Sequence, residues 1–126
     1  RDLKDTAEAY NIPFEFHATD VLSIEIPETD LLFIDTWHCY DQLKLELKLH
    51  SDKAKKYICF HDTTSYAHVS EKLSSDNAWN SEKYGKLTPN KGVWDAVYEF
   101  LLENRSTWEL VERIKYNNGF TIIKRI

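Results

Sequence analysis

The sequence predicts an α/β domain in which parallel strands deliver polar side chains to one end of a sheet and an antiparallel hairpin closes it. Three observations carry this. The run Leu31-Leu32-Phe33-Ile34 is apolar without interruption and stops at Asp35-Thr36-Trp37-His38. Such a run suits a strand covered on both faces, with ligand groups at its C-terminal end. One helical segment later, Lys56-Tyr57-Ile58-Cys59-Phe60 repeats the pattern and leads into His61-Asp62-Thr63. The chain then closes with two strand-like runs, Trp108 to Tyr116 and Phe120 to Ile126, joined at Asn117-Asn118-Gly119. Asn-Gly supplies the positive φ angles of a type I′ turn.

A chain of 126 residues fits one domain, residues 1–126, with enough apolar and aromatic content for a core. The formal net charge of −5 and the pI near 5.5 argue against nucleic acid as a partner, because a phosphate backbone is normally met by a basic face. A small-molecule substrate is expected instead. Cys39 and Cys59 make no disulfide framework, and Cys59, inside an apolar run, reads as an inert core thiol. No run approaches the ~18 apolar residues of a membrane span, and no charged-then-apolar signal segment opens the chain. No membrane partner and a cytoplasmic location are the expectations. The sequence contains no Met, and Arg1 opens directly onto what reads as the body of a helix, so a preceding segment is expected.

In chain order, Leu3, Ala7 and Tyr10 give a short helical pattern ended by Asn11 and Pro13. Residues Phe14 to Ala18 alternate like a strand and run into Thr19-Asp20-Val21, where Asp20 is either a ligand contact or a helix N-cap over Val21 to Ile24. The segment after His38 alternates with period two through Leu43, Leu45, Leu47 and Leu49. A helix burying Leu43, Leu47 and His50 is nevertheless expected, because the next parallel strand requires a crossover. Residues 65–91 are polar and read as a long loop or lid, helical in its first part from Ser65 to Leu73. Within it Trp79 is either an aromatic anchor or a substrate platform. Gly92 to Leu102 is the clearest helix, with Val93, Ala96, Val97, Phe100 and Leu101 as its buried stripe and Trp94 in the core.

Four blocks in this order, DLLFIDTWHCY from Asp30, FHDTT from Phe60, GVWDAVYEFL from Gly92 and the closing NNGFTIIKRI, resemble the C-terminal part of class I S-adenosylmethionine-dependent methyltransferases. The branch they resemble is the cephalosporin-hydroxylase-like and macrolide-sugar O-methyltransferase group. The resemblance implies a three-layer sandwich with a Rossmann-like methyltransferase sheet and a C-terminal antiparallel hairpin. It implies transfer of a methyl group to a hydroxyl of a sugar or other small molecule, with S-adenosylmethionine as donor and Mg or Mn as metal. Carried over residue by residue, Asp35, His61 and Asp62 are the metal ligands and His38 the general base. Asp20 and Val21 are contacts to the adenine of the cofactor. At His61 the sugar methyltransferases tend to carry Glu, and an imidazole there shifts metal preference toward Mn, Fe or Zn.

The glycine-rich cofactor loop and the N-terminal strands of that family are absent: Gly85, Gly92 and Gly119 all lie in the second half. The strand at Phe14 to Ala18 is therefore expected to pair directly with that at Leu31 to Asp35, or a homodimer is expected to complete the sheet edge. A non-catalytic binding or scaffold module with the same fold is the competing reading. A metal-dependent hydrolase is a third, without a recognisable nucleophile motif.

Overall fold

Two helices lay their apolar stripes on one face of a four-stranded mixed sheet, and the core forms between them. The computed structural model describes residues 2–74 and 78–126. Its strands are β1 (Thr29–Ile34), β2 (Ala54–His61), β3 (Trp108–Ile114) and β4 (Phe120–Arg125). Their spatial order is β1-β2-β4-β3. β1 and β2 run parallel, with Ile34 opposite Phe60, while β4 lies antiparallel to both β2 and β3.

The crossover between the parallel strands is helix α2 (Tyr40–His50), followed by a 3-10 turn at Ser51–Lys53. Its buried residues, Tyr40, Gln42, Leu43, Glu46, Leu47 and His50, recur at helical spacing. The alternating leucines are thus split between faces, and Leu49 is left exposed. The helix α4 (Val93–Glu103) buries Val93, Ala96 and Val97 and packs Phe100 and Leu101 against the same cluster. Ile34, Ile58, Phe60, Trp108 and Ile123 complete that core from the sheet side. Trp94 is packed against it too, with the Arg113 guanidinium 3.9 Å from its ring centre.

Among the described residues the other face of the sheet is largely open, although Cys59 on it is buried. Leu31, Phe33 and Tyr57 are 53%, 54% and 42% exposed. Among the described residues the apolar run at β1 is covered on one face, and the mixed open sheet is compatible with an α/β sandwich. The expected strand at Phe14 to Ala18 does not form: these residues are exposed and bridge to no other segment. Period-two alternation stabilises a strand only where a sheet edge accepts its backbone, and β1 pairs with β2 alone. Contrary to expectation, Phe14 to Ala18 makes no direct pairing with the Leu31 to Asp35 strand.

Helix α1 (Leu3–Ala9) starts at Asp2, whose carboxylate accepts the Asp5 amide at 2.9 Å, and it ends before Asn11 at φ 54°. Ser65 to Val69 is a run of turns and bends and Ser70 to Leu73 is irregular, so the expected helix does not form, and the short helix of the long loop, α3 (Ser81–Tyr84), comes later. Trp79 serves as an anchor: its indole N–H donates to the Gly85 carbonyl at 2.8 Å, and its ring lies 6.3 Å from that of Trp37. Thr88 fastens the far end of the loop, with its amide and hydroxyl both donating to Asp41 at 2.7 Å. No helix among the described residues is long and apolar enough to cross a membrane.

Candidate metal and acid-base site

Both parallel strands end at the same place, so the polar residues that follow them meet. Asp35 and His38 come from the loop after β1, and His61 and Asp62 from the end of β2. His38 Nε2 lies 2.6 Å from Asp62 Oδ2, and His61 Nδ1 lies 3.0 Å from that same oxygen. Asp35 Oδ1 stands 3.8 Å from His38 Nε2 and 3.7 Å from His61 Nδ1. One ligand atom each from Asp35, His61 and Asp62 falls within 4.8 Å of the others. Two carboxylates and the imidazole of His61 at this spacing could hold a divalent cation, and an imidazole ligand shifts such a site's preference toward Mn, Fe or Zn.

Asp62 owes its position to backbone geometry. Its φ of 63° is left-handed, a conformation Asp tolerates better than most residues. The hairpin loop between β3 and β4 holds it there. The Asp62 amide donates to the Gly119 carbonyl at 2.9 Å, and the Thr64 and Ser65 amides donate to that of Asn118 at 2.8 and 3.0 Å. The loop is wider than a two-residue turn: Asn117, Asn118 and Gly119 all have positive φ, at 50°, 69° and 102°. A Cβ on Gly119 would run into the Thr64 amide, so this close approach requires glycine. Behind it, the fully buried Thr63 accepts a hydrogen bond from the Thr121 hydroxyl at 2.8 Å.

The loop after β1 is held from the helix side. The Thr36 hydroxyl donates to both carboxylate oxygens of Glu46, at 2.7 and 3.0 Å, and Gln42 donates to Glu46 Oε1 at 3.1 Å. Glu46 is only 2% exposed. Burial pushes its carboxyl above the usual range, while Thr36, Gln42 and the nearby His50 pull the other way. Cys39, buried just before α2, has its thiol pushed up mainly by the same desolvation and is not a reactive thiolate.

The expected site residues divide into two groups. Asp35, His38, His61 and Asp62 are brought together. Asp20 and Val21 are placed elsewhere: the Asp20 carboxylate accepts the Leu22 amide at 2.9 Å, capping its own turn. Val21 lines a mostly apolar cavity of about 110 Å³ beside β1, with Thr36, Glu46 and His50, and its carbonyl accepts from His50 Nε2 at 2.7 Å.

Two site residues escape the sequence pattern. Tyr66 stacks on the His38 ring, with centroids 4.5 Å apart and planes at 14°. Glu71 brings a carboxylate within 3.6 Å of His38 Nδ1. Both lie in the aperiodic polar loop, where no spacing marks them.

Fold and site together define an α/β protein with a mixed four-stranded sheet and an acid-imidazole cluster at the ends of its parallel strands. The chain matches no family model, no curated protein and no solved structure.

Proposed function

We propose that the chain is the acceptor-side part of an S-adenosylmethionine-dependent O-methyltransferase of the cytoplasm, acting with a divalent cation on a hydroxyl of a sugar or other small molecule. The observation that carries the reading is the convergence of Asp35, His61 and Asp62 within 4.8 Å, at strand ends that also present His38. The parallel pair closed by an antiparallel pair supports it, as do the blocks of sequence resemblance.

Asp35, His61 and Asp62 would hold the cation. When bound, such an ion supplies Lewis acidity, lowering the pKa of an acceptor hydroxyl. His38 takes the hydroxyl proton at Nε2, the ring atom facing the cluster. Tyr66, stacked on that ring, and Thr36, tied to Glu46, keep the two arms in register, and the methyl donor must then lie in line with the acceptor oxygen.

Calorimetric titration of the chain with Mn²⁺ and with Mg²⁺ tests the reading. Binding in the parent, tighter for Mn²⁺ and lost in both Asp35→Ala and Asp62→Ala, is the expected result. A parent chain that binds neither ion overturns the metal-assisted reading.

A further inference from the structure

The sheet has two edges, and its residues guard only one of them. β3 carries Glu109, Glu112 and Arg113 along one edge, with an irregularity between Leu110 and Glu112. Charges and bulges of this kind keep an edge from pairing with other chains. β1, at the opposite edge, pairs with β2 alone among the described residues. Its irregularity falls at its start, between Thr29 and Leu31, so Leu31 to Ile34 run regular, apolar and without proline. A mostly apolar cavity of about 110 Å³ lies along this edge, lined in part by Leu32 and Ile34. Such an edge is a template for one more strand.

The chain also contains a strand-like segment with nothing to pair with. Apolar and polar residues alternate through Phe14-Glu15-Phe16-His17-Ala18, and among the described residues none of its backbone groups bonds another segment. Phe14 and Phe16 are exposed, and the segment equals Leu31 to Asp35 in length. The connection that follows is fixed beside α2: Asp20 caps its turn at Leu22, and the Val21 carbonyl accepts from His50 Nε2. The segment leaves that anchor without bonding to the β1 of its own chain.

Surface area points to what covers the edge. A compact monomer of 14.9 kDa exposes about 7,000 Å², and this chain exposes 8672 Å², an excess of about 1,700 Å². A standard interface removes about 800 Å² from each partner, well within that excess.

We propose that two copies of the chain exchange these segments. Phe14 to Ala18 of each copy adds to the β1 edge of the other, setting Phe14 and Phe16 against the apolar side chains that flank it. A second copy fits better than an unrelated strand because the exchange is reciprocal and closes about a two-fold axis. It uses up both the open edge and the unpaired segment of each chain. Pro13, which has no amide to donate, then borders the new outer strand, where proline is tolerated and discourages further pairing.

Sedimentation equilibrium of the full chain over a wide range of concentration reads the exchange. The parent is expected to reach twice the 14.9 kDa of one chain, with hydrogen exchange at the amides of Glu15 to Ala18 slowing as the dimer forms. The double variant Phe14→Glu/Phe16→Glu alters two exposed side chains. It is expected to keep the far-UV circular dichroism of the parent and to stay at the mass of one chain. A parent that is monomeric at every concentration overturns the proposal. So does a dimer that persists in the folded double variant, or one in which those four amides exchange as fast as in dilute solution. The amide measurement on the parent decides the matter even where the variant fails to fold.

Discussion

The bond between Thr36 and Glu46 ties the loop carrying Asp35 and His38 to helix α2, and its strength is measurable by replacing both partners. The Thr36 hydroxyl reaches both oxygens of a carboxylate that is 2% exposed. A hydrogen bond to a charged group contributes about 1.5–3 kcal/mol and a neutral one about 1 kcal/mol. Thr36→Val is therefore expected to cost about 2–3 kcal/mol where Glu46 is ionised, but only about 1 kcal/mol in a Glu46→Gln background. Urea denaturation of the four proteins at pH 8 yields the coupling, expected at about 1–2 kcal/mol. Equal penalties in the two backgrounds, to within about 0.5 kcal/mol, would refute the tether.

The sign with pH follows from burial. The Glu46 carboxyl is raised above its value of 4.5 outside the fold, mainly by desolvation. Its protonated form is favoured in the folded chain, so that contribution is present in full below about pH 4.5 and is lost as pH rises through the folded value. Glu46→Gln, which cannot ionise, should gain on the parent across that window by about 1.4 kcal/mol per pH unit.

Gly119→Ala combines a φ of 102° with a Cβ driven into the Thr64 backbone. It should destabilise by more than about 1 kcal/mol and speed hydrogen exchange at the Asp62 and Thr64 amides, whereas unchanged exchange would mean that the hairpin loop does not hold Asp62. Leu47→Ala in the core should cost about 2–5 kcal/mol, while Leu49→Lys on the exposed side of α2 should stay within about 0.5 kcal/mol. Similar losses at both would favour an alternating strand over the helix.

Much of this arrangement is legible in the residues themselves. The apolar runs ending at Asp35 and at His61-Asp62 mark two parallel strands because a buried run must end where polar groups begin, and both ends do meet. The helix at Tyr40–His50 follows from the crossover requirement in spite of its alternating leucines. The run at Phe14 to Ala18 misleads because alternation encodes a strand's faces and says nothing of its partner, and none is paired with it. The open face at Leu31 and Phe33 misleads for a related reason: an apolar run reads the same whether one face is covered or both. Glu46 binds Thr36, and Glu71 stands beside His38, across ten and thirty-three positions of chain. Only the folded loop and helix bring them within reach.

The central claim is that a divalent cation sits among Asp35, His61 and Asp62, and residue-resolved line broadening by Mn²⁺ tests it most directly. Added in substoichiometric amount to the ¹⁵N-labelled chain, the ion should first erase the amide signals around Asp35 to His38 and His61 to Asp62, and Asp62→Ala should abolish that selectivity. Broadening spread over exposed carboxylates such as Asp5, Glu8 and Glu109, with those signals no more affected than the rest, would contradict it.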